Sequence, residues 1–490
     1  MSTTETILDA VTDIVGGDNV VSDEKGREFF SADISFEAYE RAAAVVQPGS
    51  TEELAAIVER ANADGFAVLA RGGGMSYTQG YTPTSERTVL VDMRRMNKIR
   101  EINTEDMYVV AEAGCTWHQM YETLAEHGVR TPYYGPLSGK FATVGGALSQ
   151  NSVFWGGGTY ATVADSALGL EVVLSGGRVL HTGSWARSGC NPFLRHNGPD
   201  LTGIFTGDTG AYGLKAAASL RLVNAPAFSL GASFGVVDFT SSTAAIAELS
   251  KYAIASEIYG LDPFYTDVMV RAGLEFLGEH PWSIHFSVDG PEESLAQAGL
   301  DLLRGIAAKH GTEIENTTVN VFKSDPFGAV QSVLLGPEGE LWLPIHAFLP
   351  FSRSQEAAAA IEGWFAELAP RLEEHNIKTS LLTAASGKDF LFEPSFYWFD
   401  ELGDFRLEKI APEAADEWKS IPADPETRSV VLDLRRQLAK RFDDLGCCHI
   451  QVGKYYEYGP LMEPETWKLT QGIKQLVDPD GLVNPGSLGL

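Results

Sequence analysis

The sequence predicts an α+β protein of two domains. Three observations carry that prediction. Residues 43–70 read as a strand-helix-strand unit. Short apolar strands separated by glycine-rich turns continue to about residue 225. From about residue 226 longer amphipathic helices alternate with apolar strands. A chain of 490 residues has room for two large domains or three smaller ones at ~150 residues each.

The elements follow in order. Residues 4–30 give a short helix and a polar segment. Ala43–Gln47 is an apolar strand closed by Pro48-Gly49. Ser50-x-x-Glu53 has the form of a capping box, with Ser50 as N-cap. Leu54, Ile57, Val58 and Ala61 then share one helical face, and Gly65 ends the helix. Phe66–Ala70 is the next strand, running into Arg71-Gly72-Gly73-Gly74. Strands are expected at Thr88–Asp92 and Tyr108–Glu112, and a helix over Thr116–His127. Leu168–Leu174 and Arg178–His181 form a hairpin, and Leu214–Leu222 is a further strand. In the second half, helices are expected at about 241–256, 292–310 and 354–369, with strands at Trp282–Val288 and Leu341–Phe348. The charged, proline-interrupted stretch 400–430 reads as a surface excursion.

Composition excludes several function classes. Hydrophobic residues make up 44% and charged residues 21%, an ordinary globular balance. Acidic residues outnumber basic ones 66 to 37, a net charge of −29, which disfavours nucleic acid and anionic lipid. No apolar run approaches the ~20 residues of a membrane span. The N-terminal MSTTETILDAV lacks the basic-then-apolar order of a signal peptide. Cys115, Cys190, Cys447 and Cys448 form no CxxC pair. A reducing, cytoplasmic setting is expected.

Three segments concentrate glycine: RGGGMSY (71–77), GPLSGKFATVGGALSQN (135–151) and TGDTGAYG (206–213). Glycine lets successive backbone N–H groups converge without a Cβ clash, and such a concavity binds phosphate. Any one cluster is also compatible with a tight turn. The usual nucleotide signatures fail. There is no GxxxxGK[ST], and RGGGMSYTQG does not keep GxGxxG register.

The order of these segments, with WGGGTYATVADSALGLEVVLSGGRVLHTG and the terminal VDPDGLVNPGSLGL, resembles the FAD-binding oxidoreductases of the vanillyl-alcohol oxidase and p-cresol methylhydroxylase (PCMH) superfamily. The resemblance covers about residues 41–223 and the last fifteen residues. It implies a PCMH-type FAD-binding domain over 1–225, completed by 466–490, and an α+β cap or substrate domain over 226–465. It further implies that Arg71, Gly72, Gly73, Gly74, Met75 and Ser76 wrap the FAD pyrophosphate. Pro136, Ser138, Ala142, Thr143, Gly145 and Gly146 line the ribityl and ring side, with Asn151, Thr159 and Tyr160 continuing that wall. Gly207, Gly210 and Gly213 approach the adenine half, and Glu171 and Val172 lie on a strand whose backbone meets the adenine. Asn484 returns the C-terminus toward the flavin.

Two departures shape the expectation. Relatives with a covalent bond in the first loop carry His where this chain has Met75, so noncovalent FAD is expected. The HxGDGNxH-type metal motif of D-2-hydroxy-acid enzymes is reduced here to LPIHAFLP, with His346 as its one His, so no metal is expected. His346 on an apolar strand is either a hydrogen-bonded core residue or a ligand or base.

A flavin oxidation also needs a group that handles the substrate proton. CCHIQVGKYY (447–456) groups His449, Lys454 and Tyr455 on a predicted strand, with His449 and Gln451 on one face. FEPSFYW (392–398) carries Tyr397 among aromatics that wall a substrate or pack a core. Trp155 either flanks the flavin or packs in a turn. The candidate catalytic residues are therefore His449, Tyr455, Lys454, His346 and Tyr397. The expected activity is hydride transfer from a small, aromatic or phenolic, alcohol to the flavin. A D-2-hydroxy-acid dehydrogenase is the alternative, and a nonenzymatic nucleotide-binding protein the second. Expected partners are the organic substrate and oxygen or another electron acceptor, with a homo-oligomer left open.

Overall fold

The computed structural model describes residues 3–271 and 280–490. The N-terminal part contains two sheets. In the first, Ala67–Arg71 and Ala44–Val46 flank Thr88–Asp92 in parallel, and Val20–Val21 adds an antiparallel edge. The helix Thr51–Ala63 crosses between Ala44–Val46 and Ala67–Arg71. Ser50 caps it by accepting from the Glu53 amide, and Leu54, Ile57, Val58 and Ala61 are its buried face. The second sheet is antiparallel, in the order Ile99–Asn103, Tyr108–Glu112, Leu214–Arg221, Ala167–Val173, Val179–His181. Its last two strands are the expected hairpin.

The C-terminal segment closes the first sheet. Val483 bridges Val68 in parallel: the Val68 amide donates to Leu482 O, and the Asn484 amide to Val68 O. The end of the chain therefore lies beside the strand that feeds the first glycine loop.

The second part is one antiparallel sheet of eight strands. The order is Gly311–Ile314, Phe228–Val236, Trp282–Gly290, Glu257–Leu261, Lys378–Ser386, Asp389–Trp398, Leu341–Pro344, with Ala347–Pro350 also pairing to Asp389–Trp398. Helices Phe239–Leu249, Glu293–Ala307 and Ser354–Glu374 bury Ile246, Leu300, Leu303, Ala358 and Ile361 in its core. The opposite face carries Tyr259, Leu382, Ala384 and Leu391 against Val153 of the N-terminal part. This is a two-domain α+β protein, and the contact between its parts combines that apolar patch with buried polar links, Arg130 to Asp289 and Tyr134 to Glu257.

Three expectations need correction. Leu341–Phe348 is not one strand: pairing stops after Pro344 and resumes at Ala347, leaving Ile345-His346 as a break. Residues 447–456 form turns rather than a strand. Cys448 makes an isolated bridge to Phe348, and Gln451 has φ 54°, which ends any alternation of faces. The 400–430 stretch is no simple surface excursion, because helix Asp404–Lys409 buries Phe405, Arg406 and Lys409. The long helix Pro425–Asp444 follows, and it buries Arg435 completely.

Candidate functional site

The three glycine segments and the C-terminal turn meet at a cleft between the two parts. Gly72, Gly73, Gly74, Met75 and Ser76 of the first segment line it. So do Pro136, Ser138, Ala142, Thr143, Gly145 and Gly146 of the second, Gly210 and Gly213 of the third, and Asn484. The first loop is held by close backbone approach. A Cβ at Gly73 would overlap the Phe141 carbonyl, so loops one and two touch only because that side chain is missing. Gly74 has φ 77°, and a Cβ there would press on the Arg71 guanidinium. Among the described residues, the amides of 73–77 donate to no protein acceptor. They are the kind of converging donors that an anion satisfies.

Asn484 fixes the floor. Its Nδ2 donates to Gly80 O at 2.8 Å and to Thr209 O at 2.7 Å, joining loops one and three. From the strand that follows the third loop, the Lys215 ammonium lies 2.5 Å from Asp208 Oδ1. The Asp208 carboxylate also accepts from the amides of Gly210 and Tyr212. Burial pushes the Asp208 carboxyl up against the pull of Lys215.

Other expected cofactor residues lie outside the lining. Asn151 caps helix Val144–Gln150 at φ 51°. Thr159 donates to Ala255 O, and Tyr160 is at the surface over Arg130. Glu171 accepts from Thr51, Arg100 and His181, and those partners hold its carboxyl below its ordinary range despite burial. Val172 is core, and Gly207 donates to Leu148 O. Trp155 donates to Pro326 O within the core.

Arg71 is also outside the lining, but its surroundings are informative. The side chain is buried, and its Nε and Nη2 have no hydrogen-bond partner among the described residues. The rings of Phe29, Phe30, Tyr81 and Phe405 surround it at 4.9–5.7 Å. Two of its nitrogens are thus unsatisfied, and the ring faces around the guanidinium offset part of that cost.

The wall facing the glycine loops comes from the second part of the chain. It contains Val333, Trp342, His346, Glu393 and Gln451, with Tyr77 from the end of the first loop. The strand break at 345–346 is what aims His346 into the cleft. His346 Nε2 lies 2.9 Å from Glu393 Oε2, and Tyr77 Oη stands 3.0 Å from both ring nitrogens. A carboxylate can only accept, so Nε2 donates to Glu393, while the Tyr77 hydroxyl, equidistant from both ring nitrogens, lies against the ring on which Tyr77 stacks. Burial, then the charge of Glu393, pushes the Tyr77 phenol well above its ordinary value, which keeps it a donor. Glu393 Oε1 has no protein partner among the described residues.

The remaining candidates surround this row without lining the cleft. His449 Nδ1 is 2.6 Å from His346 O, its Nε2 is 3.0 Å from Asp443, and its ring stacks on Tyr456. Tyr456 Oη in turn accepts from the His346 amide. Lys454 Nζ donates to Gln79 O, Thr82 O and Asn484 Oδ1. The Tyr455 ring packs 3.8 Å from the Arg435 guanidinium. Tyr397 donates to Tyr265 Oη behind the wall. No signal in the 392–398 segment distinguished Glu393 from its aromatic neighbours, and Tyr77 read as the last residue of a phosphate loop.

Residues 42–183 match the family model described as an FAD binding domain. That stretch of the chain is an FAD-binding domain. Over 223 residues it is 28% identical to the glycolate oxidase subunit GlcD of Bacillus subtilis, covering 46% of each chain. Over 269 residues it is 29% identical to the mitochondrial D-lactate dehydrogenase (cytochrome) of Arabidopsis thaliana, covering 54% of this chain and 45% of that one. The aligned regions thus span about half the length of these relatives. The crystal structure of p-cresol methylhydroxylase with substrate bound superposes with a TM-score of 0.76 at 17% identity, covering 100% of this chain and 97% of that one. That likeness concerns the fold.

The residues present fit FAD. The unpaired amides of 73–77 suit its pyrophosphate, and the small residues at 142, 143, 145 and 146 leave room for a planar ring. Among the described residues no three His, Cys, Asp or Glu side chains gather as a metal site. No described helix is long and apolar enough to cross a membrane.

Proposed function

We propose that this protein is an FAD-dependent oxidoreductase that takes a hydride from a small, uncharged aromatic or phenolic alcohol. The observation that carries the reading is the Tyr77–His346–Glu393 row on the wall opposite the glycine loops. FAD, when bound, supplies the two-electron acceptor. Glu393 Oε1 is open to accept a hydroxyl proton from substrate, and His346 and Tyr77 fix that carboxylate. Trp342, Val333 and Phe154 give the same chamber apolar walls.

The substrate's charge is argued from the lining. Its one Lys or Arg among the described residues is Lys215, which lies on the strand after the third loop and is paired to Asp208. A carboxylate substrate would meet Glu393 with no cation beside it. A second reading, oxidation of a D-2-hydroxy acid, is favoured by the sequence similarity to a D-lactate dehydrogenase and a glycolate oxidase subunit. Met75 supports a flavin with no covalent bond at the first loop, since thioether sulfur forms no such link.

One experiment tests these points together. The purified protein is mixed anaerobically with benzylic and phenolic alcohols and with D-lactate and glycolate, and flavin absorbance is followed. Bleaching by the neutral alcohols alone is expected, and acid precipitation should leave the flavin in solution. Bleaching by the hydroxy acids alone would establish the second reading instead.

A further inference from the structure

The Lys454 ammonium is a buried charge with neutral partners. It donates to Gln79 O at 3.2 Å, Thr82 O at 3.0 Å and Asn484 Oδ1 at 2.7 Å, and no ion pair holds it among the described residues. Three acceptors match the three N–H donors of a protonated amine. Of those acceptors Asn484 lines the cleft, and Gln79 and Thr82 flank Gly80 and Tyr81, which line it too. Gln79 and Thr82 continue the first glycine loop, and Asn484 ties Gly80 O to Thr209 O. The alkyl stem packs on Gly486 of the C-terminal turn. One side chain from the second part of the chain thus pins the first loop and the C-terminus, and through Asn484 the third loop.

We propose that Lys454 couples FAD retention to its own protonation: the charged form clamps the cofactor loops, and the dianionic pyrophosphate in turn favours the charged form. This rests on the chain binding FAD and is independent of which substrate it oxidises.

The groups facing Lys454 support the sign. From the first loop and the C-terminal turn come only carbonyl and amide oxygens. The nearest charge is Asp33, a buried carboxyl that accepts from the Ser35 and Gln79 amides and is itself faced by Arg406 and Arg435. Burial therefore dominates and lowers the Lys454 amine to about 7, with Asp33 only partly opposing it. An anion arriving in the cleft raises it again. FAD then binds with uptake of a proton above neutrality, and affinity is greatest on the acid side of the transition and falls as pH rises.

The test is FAD titration of the deflavinated protein, by calorimetry in two buffers of different ionisation heat, at several pH values. Between about pH 7 and pH 9 the wild-type dissociation constant should rise, by at most about tenfold per pH unit, with uptake of up to about one proton. Lys454→Arg, which keeps its charge, should bind FAD with no such slope and no proton uptake. Lys454→Met should bind at least about tenfold more weakly below neutrality. Should Lys454→Met not fold, Lys454→Arg alone decides. A flat wild-type profile, or a slope that survives in Lys454→Arg, would overturn the proposal. Failure of the wild type to bind FAD at any pH would instead sink the cofactor reading.

Discussion

The two walls of the cleft are built by different rules. The cofactor wall is built from short runs of sequence: residues from 72–76, 142–146 and 210–213 line it, and in the first run the backbone amides from Gly73 onward are left free among the described residues. The opposing wall is assembled one residue at a time, from Tyr77, Trp342, His346, Glu393 and Gln451. Binding a phosphate through main chain requires a local conformation, which is written in local glycine. Placing a proton acceptor requires only that distant strands bring three side chains together. The two walls should therefore fail differently when altered.

The largest effect is expected at the cofactor wall. Gly73→Val places a side chain on the Phe141 carbonyl, so loops one and two must separate. The variant should purify without flavin absorbance and fail to bind added FAD. A yellow Gly73→Val protein would mean that loop contact does not shape the site.

The opposite wall should leave binding intact and remove chemistry. Glu393→Gln keeps the size of the side chain and removes the acceptor charge. Flavin reduction at saturating substrate should slow by ~10²–10⁴ while FAD stays bound. Loss of FAD in this variant would merge the two walls into one function.

A smaller effect is expected one layer back. Arg435 Nε donates to Pro344 O at 3.1 Å, and its Nη2 to Tyr77 O at 2.6 Å, so one buried guanidinium holds both the strand break and the tyrosine. Arg435→Met should lower stability by about 1.5–3 kcal/mol per lost bond, read by denaturant unfolding. The reduction rate should fall by about tenfold, less than in Glu393→Gln, because the reacting groups remain.

The same contrast explains what could be read from sequence. The strand-helix-strand unit at 43–70 was legible because Ser50, the apolar spacing of 54–61 and Gly65 mark its limits one after another. The three loops were legible from residue type alone. The cap wall was not. A continuous apolar run hid the break at His346, because the run 341–350 is apolar on both sides of it and nothing local signals the change of register. His449, Lys454 and Tyr455 form a titratable cluster in sequence, yet apart from Asp443 beside His449 their partners are a backbone carbonyl, three neutral oxygens and a guanidinium, each 20 or more residues away. Glu393 sits among aromatics whose burial gives no hint that one carboxylate turns into the cleft.

The account rests most directly on His346, which links Tyr77 to Glu393 and owes its aim to the strand break. The decisive measurement is the anaerobic rate of flavin reduction in His346→Ala at saturating substrate, beside its FAD content. Full FAD occupancy with reduction slowed ~10²–10⁴-fold is predicted. An FAD-replete His346→Ala protein that reduces at the parent rate would contradict the account.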